Sequence, residues 1–170
     1  TAHQLGIFLV QFLSGLGMAL FIRSLKLSRT SALVAGTAWA FGGYNVAWIE
    51  TGVSGEAACS LVFALWALKE AQNSSSLFWV FVAGYSLGLL GLSGHPPLPA
   101  LGWLTCSGIC LVWLSESTQP WTAARNYTLA VVLGLCVSAP QALPTLDWVK
   151  QAHRVAYSAD EILKHNRLLP

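Results

Sequence analysis

Charge is what this chain has least of. Asp, Glu, Lys and Arg make up 9% of its 170 residues, whereas a soluble domain carries about 25%. Hydrophobic residues make up 55%, and the mean hydropathy is +0.58. So few charges cannot coat a water-exposed surface, which excludes a soluble globular domain and points to an integral membrane protein. The formal net charge of +2, spread over loops, argues against nucleic acid as a partner, because that would call for a basic stripe. Also missing are the roughly 10-residue alternating segments of a transmembrane barrel, any low-complexity linker, and the intramembrane charge pair or inverted repeat that would favour a transporter. The four cysteines, Cys59, Cys106, Cys110 and Cys136, form no CxxC pattern. Cys106 and Cys110 stand at helical spacing inside an apolar run, and all four read as small buried hydrophobes. The chain opens at Thr1, holds one methionine, Met18, and has neither a basic n-region nor a small-residue cleavage site. A piece of a longer polypeptide is therefore expected, not a signal peptide followed by a mature domain.

What the chain has instead is long apolar runs. At about 20 residues per helical span the length allows about six crossings. Six runs can be drawn: Leu5–Ile22, Ser31–Ile49, Ala57–Leu68, Leu77–Leu92, Leu98–Leu114 and Tyr127–Val149. Lipid cannot hydrogen-bond an exposed backbone, so each run must be helical where it meets hydrocarbon. The predicted fold is an all-α polytopic transmembrane bundle in which residues 1–170 form a single region. Ala159–Leu169 reads as a short amphipathic interfacial helix. The third run is short and is expected to extend to Ser54 and Glu70. Pro140 and Pro144 are expected to break the outer half of the sixth helix, and Gln141 is a candidate partner for the carbonyls they release.

Orientation follows from the basic residues, since Lys and Arg in short loops stay cytoplasmic. The first loop carries Arg23, Lys26 and Arg29 and no acid, whereas the second carries Glu50 and Glu56 and no base. Alternation then puts the Gly94-His95-Pro96-Pro97 turn on the outer face with both glutamates. The tail beyond Val149 falls on the same face, although its Lys150, Arg154, Lys164 and Arg167 run against the charge rule. Two sequons, at Asn73 and Asn126, fall on the cytoplasmic side and carry no functional weight. Gly15, Gly17, Gly36, Gly42, Gly43, Gly84, Gly88 and Gly91 are suited to close helix packing, and the Gly84/Gly88 pair reads as intramolecular contact before a dimer interface. Trp48, Trp79, Trp103 and Trp121 fall near span ends and read as interface anchors, while Trp39 and Trp66 lie deeper and fill gaps.

The groups able to carry chemistry collect on the outer face. Glu50 and Glu56 flank the polar loop Thr51-Gly52-Val53-Ser54-Gly55. A carboxylate there could act as general base or hold a divalent cation such as magnesium or manganese; both could equally be solvated loop ends. His95 could orient a phosphate or work as acid or base near neutral pH. The same Gly-His-Pro-Pro segment is also a rigid helix-ending turn, and a pigment or haem ligand is a further reading of the imidazole. Asp147, Lys150 and Arg154 stand at helical spacing. They fit a surface salt-bridge ladder or, in the case of Lys150 and Arg154, a clamp on a lipid phosphate.

Four segments taken in order resemble the bacterial YfhO-like membrane proteins, within the GT-C-type glycosyltransferases. They are Arg23-Ser24-Leu25-Lys26-Leu27-Ser28-Arg29, Ala38-Trp39-Ala40-Phe41-Gly42-Gly43-Tyr44, Leu92-Ser93-Gly94-His95-Pro96-Pro97, and Leu143-Pro144-Thr145 with Arg154 beyond. The resemblance implies a protein of the bacterial inner membrane that transfers a sugar from a polyprenyl-phosphate donor to an acceptor on the outer face. It implies that His95 and Arg154 lie near the donor phosphate, that Glu50 or Glu56 lies near the acceptor, and that the main catalytic acid lies upstream of Thr1; Lys150 and Gln141, singled out above on their own positions, are further candidate substrate contacts. Pro97 stands where the family often has Gln, and Ala152 where it has Ser. The alternative is a noncatalytic membrane subunit that keeps the helical scaffold and packs in a larger complex with lipids or pigments.

Overall fold

The computed structural model describes residues 2–47, 53–74, 76–94 and 97–151. Every regular element among them is helical: α1 (Ala2–Ser24), α2 (Arg29–Ala40), α3 (Gly43–Ala47), α4 (Val53–Ser74), α5 (Leu77–Gly91), α6 (Pro97–Glu116) and α7 (Pro120–Gln151). Three stretches are long and apolar enough to cross a membrane: His3–Ser24, Pro97–Glu116 and Pro120–Asp147. In each, only 17% of the most apolar window is buried inside the protein. An apolar helix left uncovered by its own chain needs an apolar solvent. Leu5, Phe8 and Phe12 on α1, Leu101 and Leu104 on α6, and Leu135 and Leu143 on α7 all point outward.

The remaining long helices, α4 and α5, are more fully covered by their neighbours than these three. α5 packs chiefly on α7 and α4, and α1 packs on α4 and α2, while α6 lies against α4, α5 and α7. This makes α4 the interior helix, while α5 buries one face and turns Leu77, Phe78, Phe81 and Leu89 outward. Val62, Ala64, Leu65, Ala67 and Leu68 of α4 meet Val80, Ala83 and Leu87 of α5 in one buried cluster, joined by Cys106, Cys110 and Ala130. Helices that face helices use small side chains, because without a hydrophobic drive between lipid-like surfaces the backbones must approach closely. A Cβ on Gly84 would lie 2.8 Å from Leu133 Cβ and 2.9 Å from the Ala130 carbonyl oxygen, and one on Gly88 would overlap Val137. The Gly84/Gly88 pair is therefore spent on the α5–α7 contact within the chain. Gly36 meets the Gly15 carbonyl oxygen in the same way, at 2.7 Å, across α1 and α2.

The α1–α2 turn follows from its residues. Lys26 takes a left-handed conformation (φ 63°) that ends α1, Arg23 Nη1 donates to the Leu27 carbonyl at 2.6 Å, and Ser28 caps α2 by accepting from the Ser31 N–H at 3.1 Å. This turn defines a basic end of the bundle. There Asn73 Nδ2 donates to the Ser24 carbonyl (3.3 Å) and Gln72 Nε2 to the Trp113 carbonyl (3.0 Å), tying the end of α4 to α1 and α6.

Several expectations need correction. Ser31–Ile49 is not one helix: α2 stops at Ala40 and α3 begins at Gly43. The Gly42-Gly43 pair allows the break, and Asn45 Nδ2 donates to the Trp39 carbonyl at 2.6 Å, using an acceptor at the interrupted end. Pro140 and Pro144 do not break α7, which runs 32 residues with both inside it. Both prolines are on the exposed face, where the ring meets no neighbouring helix, and the Thr145 hydroxyl bonds the Gln141 carbonyl at 2.8 Å. At about 1.5 Å per residue α7 outreaches the roughly 30 Å hydrocarbon layer. Cys106 and Cys110 are buried as expected, but Cys136 is exposed, because it lies on the outward side of α7, away from Ala130 and Gly134. Trp79 stacks edge-on with Trp66 at 4.9 Å, and with Trp103 it packs on the core. Trp121, 87% exposed, does project from its helix end. The third run does extend, from Val53 to Ser74. Trp48 and the Ala159–Leu169 helix lie outside the described residues.

Candidate functional site

The end of the bundle opposite the basic turn gathers the start of α1, α3, the start of α4, the α5–α6 turn and the end of α7. Glu50, His95 and Arg154 lie outside the described residues, and of Lys150 only the backbone, on the last turns of α7, is described. Glu56 is exposed in the first turn of α4, where the positive end of the helix dipole favours a carboxylate. Gln141 is the one predicted contact residue brought close to the turn: a Cβ on Gly94 would lie 3.8 Å from Gln141 Nε2. Gly94 holds a positive φ of 77°, a conformation glycine adopts without strain. The preceding Ser93 is buried, with its hydroxyl lacking a partner. Pro97 opens α6, a position where its missing N–H costs no intrahelical bond. The α5–α6 turn thus lies against the proline-bearing part of α7. Among the described residues no group of three His, Cys, Asp or Glu side chains could hold a metal ion; Glu56 alone of the proposed carboxylate pair is described.

Sequence reasoning missed the cavity beside Glu56. About 230 Å³ opens between α2, α3, α4 and α6, lined by Trp39, Asn45, Leu61, Leu90, Leu98 and Thr105 among others, with Ala57 and Ala58 forming the wall that follows Glu56. Its polar groups are nearly all spoken for. Trp39 Nε1 donates to Ser14 Oγ at 2.8 Å, and the Thr105 hydroxyl bonds the Leu101 carbonyl at 2.8 Å within its own helix. Asn45 is different: it is 7% exposed, its Nδ2 is used on the Trp39 carbonyl, and its Oδ1 has no partner. The lining can hold an apolar chain. The clue was the Gly42-Gly43 pair, since a helix break next to a polar side chain in an apolar run marks backbone that lines a cavity. A second groove, about 330 Å³, runs between α1 and α2 past Phe8, Phe12, Leu16 and Leu33, with the Gln11 amide in its wall.

Comparison with protein families, with curated proteins and with solved structures finds no match for this chain.

Proposed function

We propose that this chain is part of a GT-C-like glycosyltransferase of the bacterial inner membrane, which takes a sugar from a polyprenyl-phosphate donor on the outer face. In this reading all six apolar runs cross or line the membrane, with the basic α1–α2 turn inside and the end that carries Glu56 and Gln141 outside. The single observation that favours a lipid-linked donor is the apolar cavity at that end, whose wall includes Ala57 and Ala58, next in the chain after Glu56. A polyprenyl chain needs a dry, continuous apolar lining, and the phosphate it carries needs cations at the mouth. His95, Lys150 and Arg154 are the proposed cations. Glu50 and Glu56 are the proposed groups at the acceptor, as general base or as ligands of a divalent cation.

The test is sugar transfer from a polyprenyl-phosphate donor by the full-length protein. His95→Ala and Arg154→Ala are each expected to lower transfer by about tenfold or more, the scale set by losing a charge-assisted hydrogen bond, at unchanged expression. Unchanged transfer in both variants would contradict the site. Absence of transfer in the unaltered protein, together with its purification in a stable larger assembly, is the result the noncatalytic-subunit reading expects.

A further inference from the structure

α5 carries an aromatic face that the other described helices leave uncovered. Gly84 and Gly88 turn toward α7, and Val80, Ala83 and Leu87 join the buried cluster with α4. Leu77, Phe81, Tyr85 and Leu89 follow one another at i, i+4 spacing, which sets them on one side of the helix. All four are exposed, with Phe78 beside them. The aliphatic and phenyl groups of such a face need nothing but lipid tails around them. Tyr85, 49% exposed, needs more, because its ring ends in a hydroxyl.

The helix contacts fix the level of Tyr85 in the bundle. A Cβ on Gly84 would meet Leu133 and the Ala130 carbonyl, one on Gly88 would meet Val137, and one on Gly91 would meet Ser138. α5 and α7 therefore run in the same direction, and Tyr85 stands level with the stretch of α7 from Ala130 to Gly134. That stretch is the middle of the apolar span Pro120–Asp147. α6 returns antiparallel, meets Leu90 at Gly102, and so brings the middle of its own span, Pro97–Glu116, to the same level. With α6 and α7 crossing the membrane, Tyr85 lies near the midplane, about 15 Å from either headgroup region, half of the hydrocarbon thickness. A tyrosine side chain is too short to reach that far.

Nothing in the chain bonds its hydroxyl. Tyr127, which packs on the core, differs in this respect: its hydroxyl shares a hydrogen bond with Ser107 Oγ at 2.6 Å. Lipid tails offer neither donor nor acceptor, and a hydroxyl left unpaired in an apolar medium is costly. Whatever covers this face must therefore bring a hydrogen-bonding group to the level of Tyr85.

A second copy of the chain meets that requirement by symmetry alone. Two copies inserted the same way round form a symmetric pair about an axis along the membrane normal, so a residue near the axis meets its own equivalent at the same depth. A phenol hydroxyl both donates and accepts, and two Tyr85 side chains can thus bond to each other. One turn to either side, Phe81 and Leu89 meet their own equivalents, and the phenyl pair adds aromatic contact. We propose that α5 is a dimer interface, paired with α5 of a second copy across a two-fold axis near Tyr85, with the two hydroxyls hydrogen-bonded. The proposal rests on α5 lying in the membrane and not on sugar transfer, so the two stand or fall separately.

The test uses the full-length protein, donor-labelled and acceptor-labelled in separate batches and reconstituted together in phosphatidylcholine–phosphatidylglycerol vesicles at falling protein-to-lipid ratios. Energy transfer reports association, and its dependence on acceptor fraction separates a dimer from a larger assembly. The native protein is expected to form dimers. Tyr85→Phe keeps the ring and loses only the hydroxyl, so it is expected to fold and to need about threefold to tenfold more protein for half-association, the range for a hydrogen bond between membrane helices. Leu135→Ala, on the outward face of α7, is expected to leave association unchanged. A photoreactive benzophenone amino acid in place of Phe81 is expected to join two copies through their α5 segments, and the same group in place of Leu135 to label lipid. A protein that stays monomeric at every ratio, or association that Tyr85→Phe leaves unchanged, overturns the proposal. So does a Phe81-position photoproduct with a different polypeptide or with lipid alone.

Discussion

Single atoms decide much of this bundle, and Gly88 shows it most sharply. A methyl group there would overlap Val137 on α7, whereas one on Gly108 of α6 would meet nothing within 4 Å. The two Gly→Ala substitutions therefore have opposite expected signs. Gly88→Ala should destabilise by about 1–3 kcal/mol through overpacking, while Gly108→Ala should be neutral or stabilising by up to about 1 kcal/mol from helix propensity. Unfolding of the purified protein in detergent measures both, and equal effects would remove the close α5–α7 contact from the account. At this scale the sequence was partly legible. The small-residue spacing of Gly84 and Gly88 announced a packing face, but not its partner, because spacing carries no information about the helix opposite. The unpaired Asn45 and Asn126 amides were not legible at all: an asparagine in an apolar run reads the same whether its amide is bonded or free. Of the proposed outer-face residues, Glu56 and Gln141 can be placed, and only Gln141 approaches the Gly94 turn.

Elements were easier to read than their interruptions. The bounds of α1, α5 and α6 fall within a few residues of the apolar runs, since a long apolar run has few other ways to satisfy its backbone. The two failures both involve backbone breakers, and in opposite directions. Gly42-Gly43 does end a helix because glycine adds flexibility where Asn45 can take over a carbonyl. Pro140 and Pro144 do not end one, because both stand on the exposed face of a helix long enough to continue on either side. Each proline still removes an intrahelical hydrogen bond. Pro140→Ala and Pro144→Ala should consequently leave the helix in place and raise, or at least not lower, the melting temperature, while loss of helicity by circular dichroism would mean that the prolines hold α7 in shape.

At the scale of the whole molecule the division of labour among helices explains why hydropathy alone was an incomplete guide. α1, α6 and α7 present apolar surface outward and stand out as membrane spans. α4 is covered by its neighbours, whereas α5 buries one face against α4 and α7 and turns Leu77, Phe78, Phe81 and Leu89 outward on a shorter helix. The antiparallel arrangement then separates two chemistries. An apolar cavity lies beside Glu56 at one end, and an amide-lined cleft lies by the basic turn at the other. The central claim is that the apolar cavity receives the chain of a lipid-linked donor, and photocrosslinking tests it most directly. With a diazirine-bearing polyprenyl phosphate and the full-length protein in nanodiscs, label should concentrate in the segments around Trp39–Asn45 and Leu98–Thr105, and Thr105→Trp, which fills the cavity, should suppress it. Label spread instead over lipid-facing positions such as Leu135 and Leu143, and unchanged by Thr105→Trp, would contradict the account.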